Sequence, residues 1–381
     1  MNCFLNFSRK YFLFRKYFLL FFLLLFSIFS GYSDGLGDFY VEPRFMPWGA
    51  EANFCLRLNS GFLEHRDTIL RLTAGGEVNW VSYYRDENDL YTENNDFDFT
   101  YTRLNANWGF GIEQGLVWNN KADKNLLSLF LRYKATRVWN FNMLDQDSVL
   151  FDSIRPDKDG VLYNTFIASL ILDNTLYSNE TGLLKGFFSE LSAETAPKWF
   201  FNDIIGVADF TKIFMRIKYF HPVYETEQNK IIKAIYLGNS AGIDYSFGNY
   251  IPLPARYSFG IHAPSGSASG GMVRGFERRR FDSELKIINN FDIRFIMPQV
   301  KTKNGTKLLR AGFLSFLDVC YFDNLEGYKD NDSGVLMTAG FSLFSEILFS
   351  GNCVFTVGFP IIGERLDRSS FGIALDYGLR F

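Results

Sequence analysis

The clearest chemistry that the residue types of this sequence could perform is charge pairing in the C-terminal third. Arg274 lies in the segment GGMVRGFERRRF, residues 270–281. Asp292 and Asp318 follow, and each has apolar residues on both sides, so strand alternation would turn both carboxylates to the face opposite those apolar neighbours. A guanidinium can bind carboxylates through parallel hydrogen bonds. Two interpretations follow from these residues: Arg274 pairs with Asp292, Asp318 or both, or it is an arginine solvated in a loop.

The other reactive residue types form no recognisable site in the sequence. His65, His221 and His262 are far apart and lack the spacing of metal ligands. The sequence contains no Gly-x-Ser-x-Gly elbow, no phosphate-binding Walker loop and no cysteine pair. Asp173 and Asn174 could resemble a catalytic site, but a hairpin turn explains them without chemistry. We therefore expect no enzymatic activity, no metal and no cofactor.

Alternating apolar and polar residues predict the elements that would position these groups. From Phe371 to Phe381 every odd position is apolar, and the even positions are Gly372, Ala374, Asp376, Gly378 and Arg380. Five such segments follow residue 281, about four lie between residue 161 and the preceding loop, and about four precede residue 161. This pattern predicts an all-β, transmembrane antiparallel barrel of 14 to 16 strands. Because bacterial barrels have an even strand number, the N-terminal count is short by at least one.

The composition favours the same class. Aromatic residues make up 18% of the 381 residues, with 43 Phe and 20 Tyr. A soluble protein uses such side chains mainly in its core, whereas a membrane barrel needs them on its outer face and in its interfacial girdles. The net charge of −3 gives no reason to expect a nucleic-acid partner.

Residues 1–33 have the pattern of a signal peptide. Four basic residues precede an apolar run of 13 residues from Tyr17 to Phe29. This run is shorter than the ~20 residues of a membrane-spanning helix. An uncleaved membrane anchor is the alternative. We expect residues 34–381 to form the barrel, with no separate N-terminal domain.

Several motifs resemble those of the BamA/TamA-type outer-membrane assembly barrels, also called the bacterial surface antigen family. Its superfamily includes two-partner secretion transporters. Val273, Arg274, Gly275 and Phe276, followed by Arg280, are similar to the motif of the family's sixth loop. The next two strands of the family are similar to NFDIRF at 290–295 and FLSFLDV at 313–319. Upstream, LDNT at 172–175 with Gly182 resembles a hairpin turn, and LSAE at 191–194 the strand after it. The resemblance spans residues 161–381.

This resemblance implies a barrel of 16 strands whose long loop, residues 246–283, plugs the lumen. Arg274 would be held inside by Asp292 and Asp318, and Gly275 would permit a tight backbone at the loop tip. The first and last strands would meet at a weak seam ending at Phe381 and softened by Gly372 and Gly378. The family's members usually carry periplasmic substrate-receiving modules ahead of the barrel, and we expect this chain to depart from that pattern.

By resemblance, the expected function is the assembly or insertion of outer-membrane proteins, or the translocation of polypeptides. The expected location is the bacterial outer membrane. The expected partners are the lipid bilayer, unfolded outer-membrane proteins or a secreted polypeptide, and a separate periplasmic protein. A porin-like channel for small solutes is the second hypothesis. An outer-membrane enzyme such as a phospholipase is the third.

Overall fold

The computed structural model describes residues 37–377 except for short gaps. These gaps are residues 47–48, 60–67, 84–99, 143–147, 178–183, 227–230, 259–272, 277–281, 302–306, 326–332, 348–350 and 364–371. The predicted signal peptide, residues 1–33, lies outside the described residues.

Nearly all the regular structure is β-strand. The strands are β1 (Gly37–Met46), β2 (Gly49–Asn59), β3 (Thr68–Tyr83), β4 (Thr100–Asn119), β5 (Lys124–Phe141), β6 (Gly160–Tyr177), β7 (Leu184–Ala196), β8 (Asp209–Glu225), β9 (Ala234–Tyr250), β10 (Tyr257–Ser258), β11 (Asp282–Ile296), β12 (Val300–Lys301), β13 (Lys307–Leu325), β14 (Ser333–Ile347), β15 (Gly351–Ile362) and β16 (Gly372–Tyr377). One helix, α1 (Val149–Asp152), and a 3-10 turn (Leu253–Ala255) complete the described elements. No helix in these described ranges is long and apolar enough to cross a bilayer.

The strands form one antiparallel sheet in which each long strand pairs with the next. Fourteen strands of the described chain follow one another in this order. The two-residue strands β10 and β12 pair with β11 and β13. Strands β1 and β16 approach within 8 Å between Cα atoms, which brings the two edges of the sheet together. The predicted all-β barrel of 14 to 16 strands is therefore confirmed. Five strands precede Gly160, one more than the sequence count.

Strand alternation separates an apolar outer face from a polar inner face. On β4, Trp108, Phe110 and Ile112 are exposed, while Gly111 and Glu113, at the alternate positions, are buried. Because side chains alternate across a strand, the exposed aromatic and aliphatic groups share the outer face of the barrel. A contiguous apolar outer face is the surface that a lipid-embedded barrel requires.

The prediction of a hairpin turn at Asp173 and Asn174 is wrong. Both residues lie within β6, where Asp173 pairs with Phe188 and Asn174 with Phe187 of β7. The Asp173 carboxylate forms an ion pair with Lys124 Nζ, 2.7 Å away on neighbouring β5. An inward carboxylate satisfied by a cross-strand lysine is compatible with a strand, so the local preference of Asp-Asn for turns does not decide the structure.

The connections have unequal lengths at the two ends of the barrel. One end carries the segments 142–159, 197–208 and 251–281, and we call it the long-loop end. The turn at residues 120–123 lies at the opposite end. At the long-loop end, Leu150 of α1 and Leu253 pack against inward-facing Tyr101. The connections after β5 and β9 therefore cover part of the barrel mouth.

Candidate functional site

The tip of the long connection after β9 lies inside the barrel. Val273 and Phe276 are both fully buried. They pack in a cluster with inward-facing apolar residues of β11, β13 and β14, namely Ile288, Cys320, Phe322 and Leu336. Strand parity supports this location, because Phe316, Asp318 and Cys320 are buried while the alternating Leu317 and Tyr321 are exposed.

Arg274 binds the inner wall through both its backbone and its side chain. Its backbone N–H donates to Asp318 Oδ2 at 2.9 Å, and its Nε donates to the same oxygen at 2.9 Å. Its Nη2 donates to Asp318 Oδ1 at 2.6 Å and to Asp292 Oδ1 at 2.7 Å. The guanidinium carbon lies 3.9 Å from the centre of the Phe316 ring. Arg274 therefore makes a bidentate pair with one carboxylate and a single bond to another, while stacking on an aromatic face.

A second arginine completes this charge cluster. Arg294 lies two residues after Asp292 on β11, and its Nη2 donates to Asp292 Oδ2 at 2.8 Å. The four side chains carry two positive and two negative charges. Asp318 is completely buried, and the side chains of Arg274 and Asp292 are 12% and 10% exposed. Burial alone would lower the pKa of Arg274, but the charges and hydrogen bonds of Asp292 and Asp318 raise it above its ordinary value.

Gly275 lets the backbone of the tip approach the wall closely. Its φ of 106° lies in the left-handed half of conformational space, which disfavours residues with a Cβ. A Cβ at this position would lie 2.8 Å from Thr338 Cγ2 and 3.1 Å from the backbone of Gly358 on β15. A Cβ on Gly358 would in turn lie 2.7 Å from the Gly275 Cα. Two glycines therefore create the contact between the tip and the wall.

The structure brings together Val273, Arg274, Gly275 and Phe276 with both predicted lumen partners. Gly372 begins β16 and pairs with Gly358. Arg280, Gly378 and Phe381 lie outside the described residues, as do Gly182 and residues 259–272 of the long loop. The contributions of Arg294, Phe316 and Gly358 were missed. Alternation places Arg294 on the face of Asp292, and Phe316 on the face of Asp318, so parity was a usable signal for these two.

A second buried charge cluster lies further round the inner wall, and no sequence motif pointed to it. Arg216 of β8 forms an ion pair with Asp244 of β9. Lys286 of β11 lies 3.2 Å from the other oxygen of Asp244. All three side chains are at most 2% exposed. The cluster links three neighbouring strands and includes no loop residue.

The structure offers no evident metal site in the part of the chain that it describes. No group of three or more His, Cys, Asp or Glu residues in these ranges could hold a metal ion. The chemistry of the Arg274 cluster is ion pairing and hydrogen bonding. This arrangement can fix a loop reversibly against a wall, because its bonds join side chains from separate elements.

Comparison with solved structures identifies a similar fold. The crystal structure of BamA from Haemophilus ducreyi lacking POTRA domains 1–3 matches with a TM-score of 0.54 and 12% sequence identity. The match covers 90% of this chain and 64% of that chain, so this chain corresponds to less than two thirds of the BamA chain. The chain has the fold of a BamA-like barrel. No family model matches the sequence, and no curated protein matches it.

Proposed function

We propose that this chain is an integral protein of the bacterial outer membrane. The exposed apolar face supports the proposal, since Leu72 on β3, Phe110 on β4 and Leu131 on β5 are each about half exposed. Water would leave this face unfavourably hydrated, whereas the hydrocarbon core of a bilayer would cover it. On this proposal, the long-loop end faces the exterior and the short turns face the periplasm.

The proposed function is the assembly or insertion of outer-membrane proteins, or the translocation of polypeptides. The observation that carries it is the Arg274 cluster, which binds the tip of the long loop to the inner wall of a BamA-like barrel. A loop held there would narrow the lumen and leave the sheet edge as the place where a polypeptide engages. The proposed partners are the lipid bilayer, unfolded barrel proteins or a secreted polypeptide, and a separate periplasmic protein.

The junction of β1 and β16 is the proposed site of engagement. The two strands lie close together, but no backbone ladder joins them in the residues described. Strand β16 is described over Gly372–Tyr377, where it pairs with β15. An edge with unpaired N–H and C=O groups can accept another strand. We propose that a client strand pairs at this seam.

Depletion of the protein in its native cell tests the proposed function. Abundances of the other outer-membrane barrels would be measured during depletion and after restoration with the parent chain or with Arg274→Ala. We expect a general loss of barrels, reversed by the parent chain and only partly by Arg274→Ala. If one secreted polypeptide is lost instead, the translocation branch of the proposal is supported.

The same experiment distinguishes a channel from an assembly factor. Loss of small-solute uptake with an unchanged set of barrels and secreted proteins would contradict the proposal and favour the porin-like alternative. Conductance in planar bilayers provides an independent check. A narrowed lumen predicts small, unstable conductance in the parent chain, whereas large steady conductance would also favour a porin.

A further inference from the structure

The connection between β7 and β8, residues 197–208, folds back against the outside of the barrel. Its Phe200 ring lies 4.7 Å from Phe166 and 6.2 Å from Tyr133, measured between ring centres. Phe166 shares a strand face with exposed Leu170, and Tyr133 with exposed Leu131, so both point outward. Tyr133 also contacts Trp108, with 5.3 Å between ring centres. The loop therefore adds to an aromatic patch on the outer face of β4, β5 and β6.

Asn202 fixes the loop to the exposed edge of β6. Strand β7 ends at Ala196 and pairs with β6 only from Phe166 onward. Beyond that point, Asn202 Oδ1 accepts the backbone N–H of Asn164 at 2.6 Å, and its Nδ2 donates to the Asn164 carbonyl at 3.0 Å. The Nδ2 also donates to the Pro197 carbonyl at 2.9 Å. The amide of Asn202 thus replaces the missing strand and closes the loop on itself.

The loop is further constrained by its backbone. The N–H of Leu162 donates to the Ile205 carbonyl at 2.9 Å, and that of Ala208 donates to the Asn202 carbonyl at 2.8 Å. Phe201 has a φ of 58°, a conformation uncommon for a residue with a bulky side chain. A Cβ on Gly206 would lie 2.8 Å from the Gly160 carbonyl, so the loop packs closely on the start of β6. These contacts define a specific loop conformation.

This fixed loop presents large apolar side chains on its free surface. Trp199 is 79% exposed, and Phe201 and Ile204 are each 62% exposed. Lys198 and Asp203 are exposed beside them. The apolar side chains continue the aromatic patch of the outer face. Trp with a neighbouring lysine is typical of side chains that lie at the level of lipid headgroups, with an apolar body in the membrane and a polar tip in water.

We propose that residues 197–208 form a membrane-interface anchor that inserts Trp199, Phe201 and Ile204 into the lipid bilayer. This inference rests on the proposed membrane location. The occupant is lipid because the loop is continuous with the lipid-facing wall, and because Asn202 satisfies backbone groups that water could not reach there.

The anchor has a defined position relative to the seam. Seven strands, β1–β7, precede the loop on the sheet path, and seven, β8, β9, β11 and β13–β16, follow it. The loop therefore lies on the wall opposite the junction of β1 and β16. Its contact with lipid would hold that wall at a fixed depth in the bilayer. The junction of β1 and β16, on the opposite side, would lack this contact.

Fluorescence quenching in phosphatidylcholine vesicles tests the anchor. An environment-sensitive probe would be attached to single cysteines in a chain whose four native cysteines are replaced by alanine. Ile204→Cys reports on the anchor, and Leu131→Cys reports on the lipid-facing wall. Ile154→Cys is the matched control, since Ile154 is a fully exposed aliphatic side chain at the same long-loop end of the barrel. Brominated acyl chains quench from the lipid, and iodide quenches from water.

We expect acyl-chain quenching at positions 131 and 204 and iodide quenching at position 154. Acyl-chain quenching at position 131 together with iodide quenching at position 204 would contradict the anchor but not the membrane location. Protection of 204 from both quenchers would contradict lipid as the occupant and indicate a protein contact. Absence of acyl-chain quenching at 131 would contradict the proposed membrane location itself, and the anchor with it.

A measurement without cysteine replacement provides an independent check. The difference in tryptophan emission between the parent chain and Trp199→Phe isolates the signal of Trp199. We expect this difference signal to be lost in vesicles of brominated phosphatidylcholine and retained in unbrominated vesicles with iodide. A difference signal quenched by iodide and not by brominated lipid would overturn the proposal.

Discussion

The two buried charge clusters of the barrel interior use the same chemistry for different connections. The Arg274 cluster joins a loop tip to β11 and β13, whereas the Arg216–Asp244–Lys286 cluster joins β8, β9 and β11 to each other. The second cluster is more deeply buried, at no more than 2% exposure. A strand-to-strand cluster stabilises the wall, and a loop-to-wall cluster can be lost without breaking the sheet. The elements that an ion pair joins therefore determine whether its loss destabilises the wall or frees the loop.

The largest effect is expected from Asp244→Ala. This change removes the carboxylate shared by two buried cations, Arg216 and Lys286, and breaking such a cluster costs about 3–5 kcal/mol. The free energy of unfolding in urea, measured in detergent micelles, should fall by this amount. Protease cleavage within the loop at residues 246–283 should be unchanged under native conditions. Selective loop cleavage in Asp244→Ala would remove the distinction between the two clusters.

Arg274→Ala should have a smaller effect on unfolding and a larger effect on the loop. Asp318 loses its bidentate partner, while Asp292 keeps its bond to Arg294, so we expect a loss of about 3 kcal/mol. The loop should become sensitive to protease, and the conductance of the reconstituted barrel should increase. Arg274→Lys should restore resistance only in part, because an ammonium lacks the planar fork. Complete rescue by lysine would contradict the importance of the bidentate geometry.

Gly275→Ala should loosen the tip while leaving every charge in place. The strained φ and the close contacts with Thr338 and Gly358 predict a cost of about 1–3 kcal/mol. Heat-modification on unboiled gels and loop proteolysis would measure it. Gly76→Ala is the matched control, since a Cβ there meets only the Asn105 carbonyl at an ordinary 3.5 Å. Equal effects of the two changes would count against a tight tip contact.

The smallest effect is expected from Lys124→Ala. Lys124 pairs with Asp173 at 2.7 Å, but both side chains are about 30% exposed. Solvent screening limits such pairs to about 0–1 kcal/mol. Urea unfolding should therefore be nearly unchanged. A loss as large as that of Asp244→Ala would show that burial does not separate strong from weak pairs in this interior.

The sequence was sufficient for the features that depend on strand periodicity. Alternation predicted the barrel, and it placed Asp292 and Asp318 on the inner face before any contact was known. Prediction from local turn preference failed where a residue has a partner that is distant in sequence. Asp173 and Asn174 favour turns, yet the cross-strand Lys124 makes Asp173 compatible with β6.

Contacts between elements distant in sequence were not predictable from the alternation of apolar and polar residues. The approach of Gly275 to Gly358 requires the loop to reach β15, and no periodicity encodes that distance. Asn202 replaces a strand partner of Asn164 across 38 residues, and a lone asparagine in a loop gives no such signal. Arg216, Asp244 and Lys286 lie on three strands, so their convergence depends on the register of the sheet.

The central claim is that Arg274 holds the loop tip in the lumen by its bonds to Asp318. A double-mutant cycle on Arg274→Ala and Asp318→Ala, using urea unfolding and loop proteolysis, tests this most directly. The close bidentate geometry predicts that the double variant loses much less stability than the sum of the single variants, and that each single change exposes the loop. Additive losses, with a loop no more cleavable in Arg274→Ala than in the parent chain, would contradict the claim.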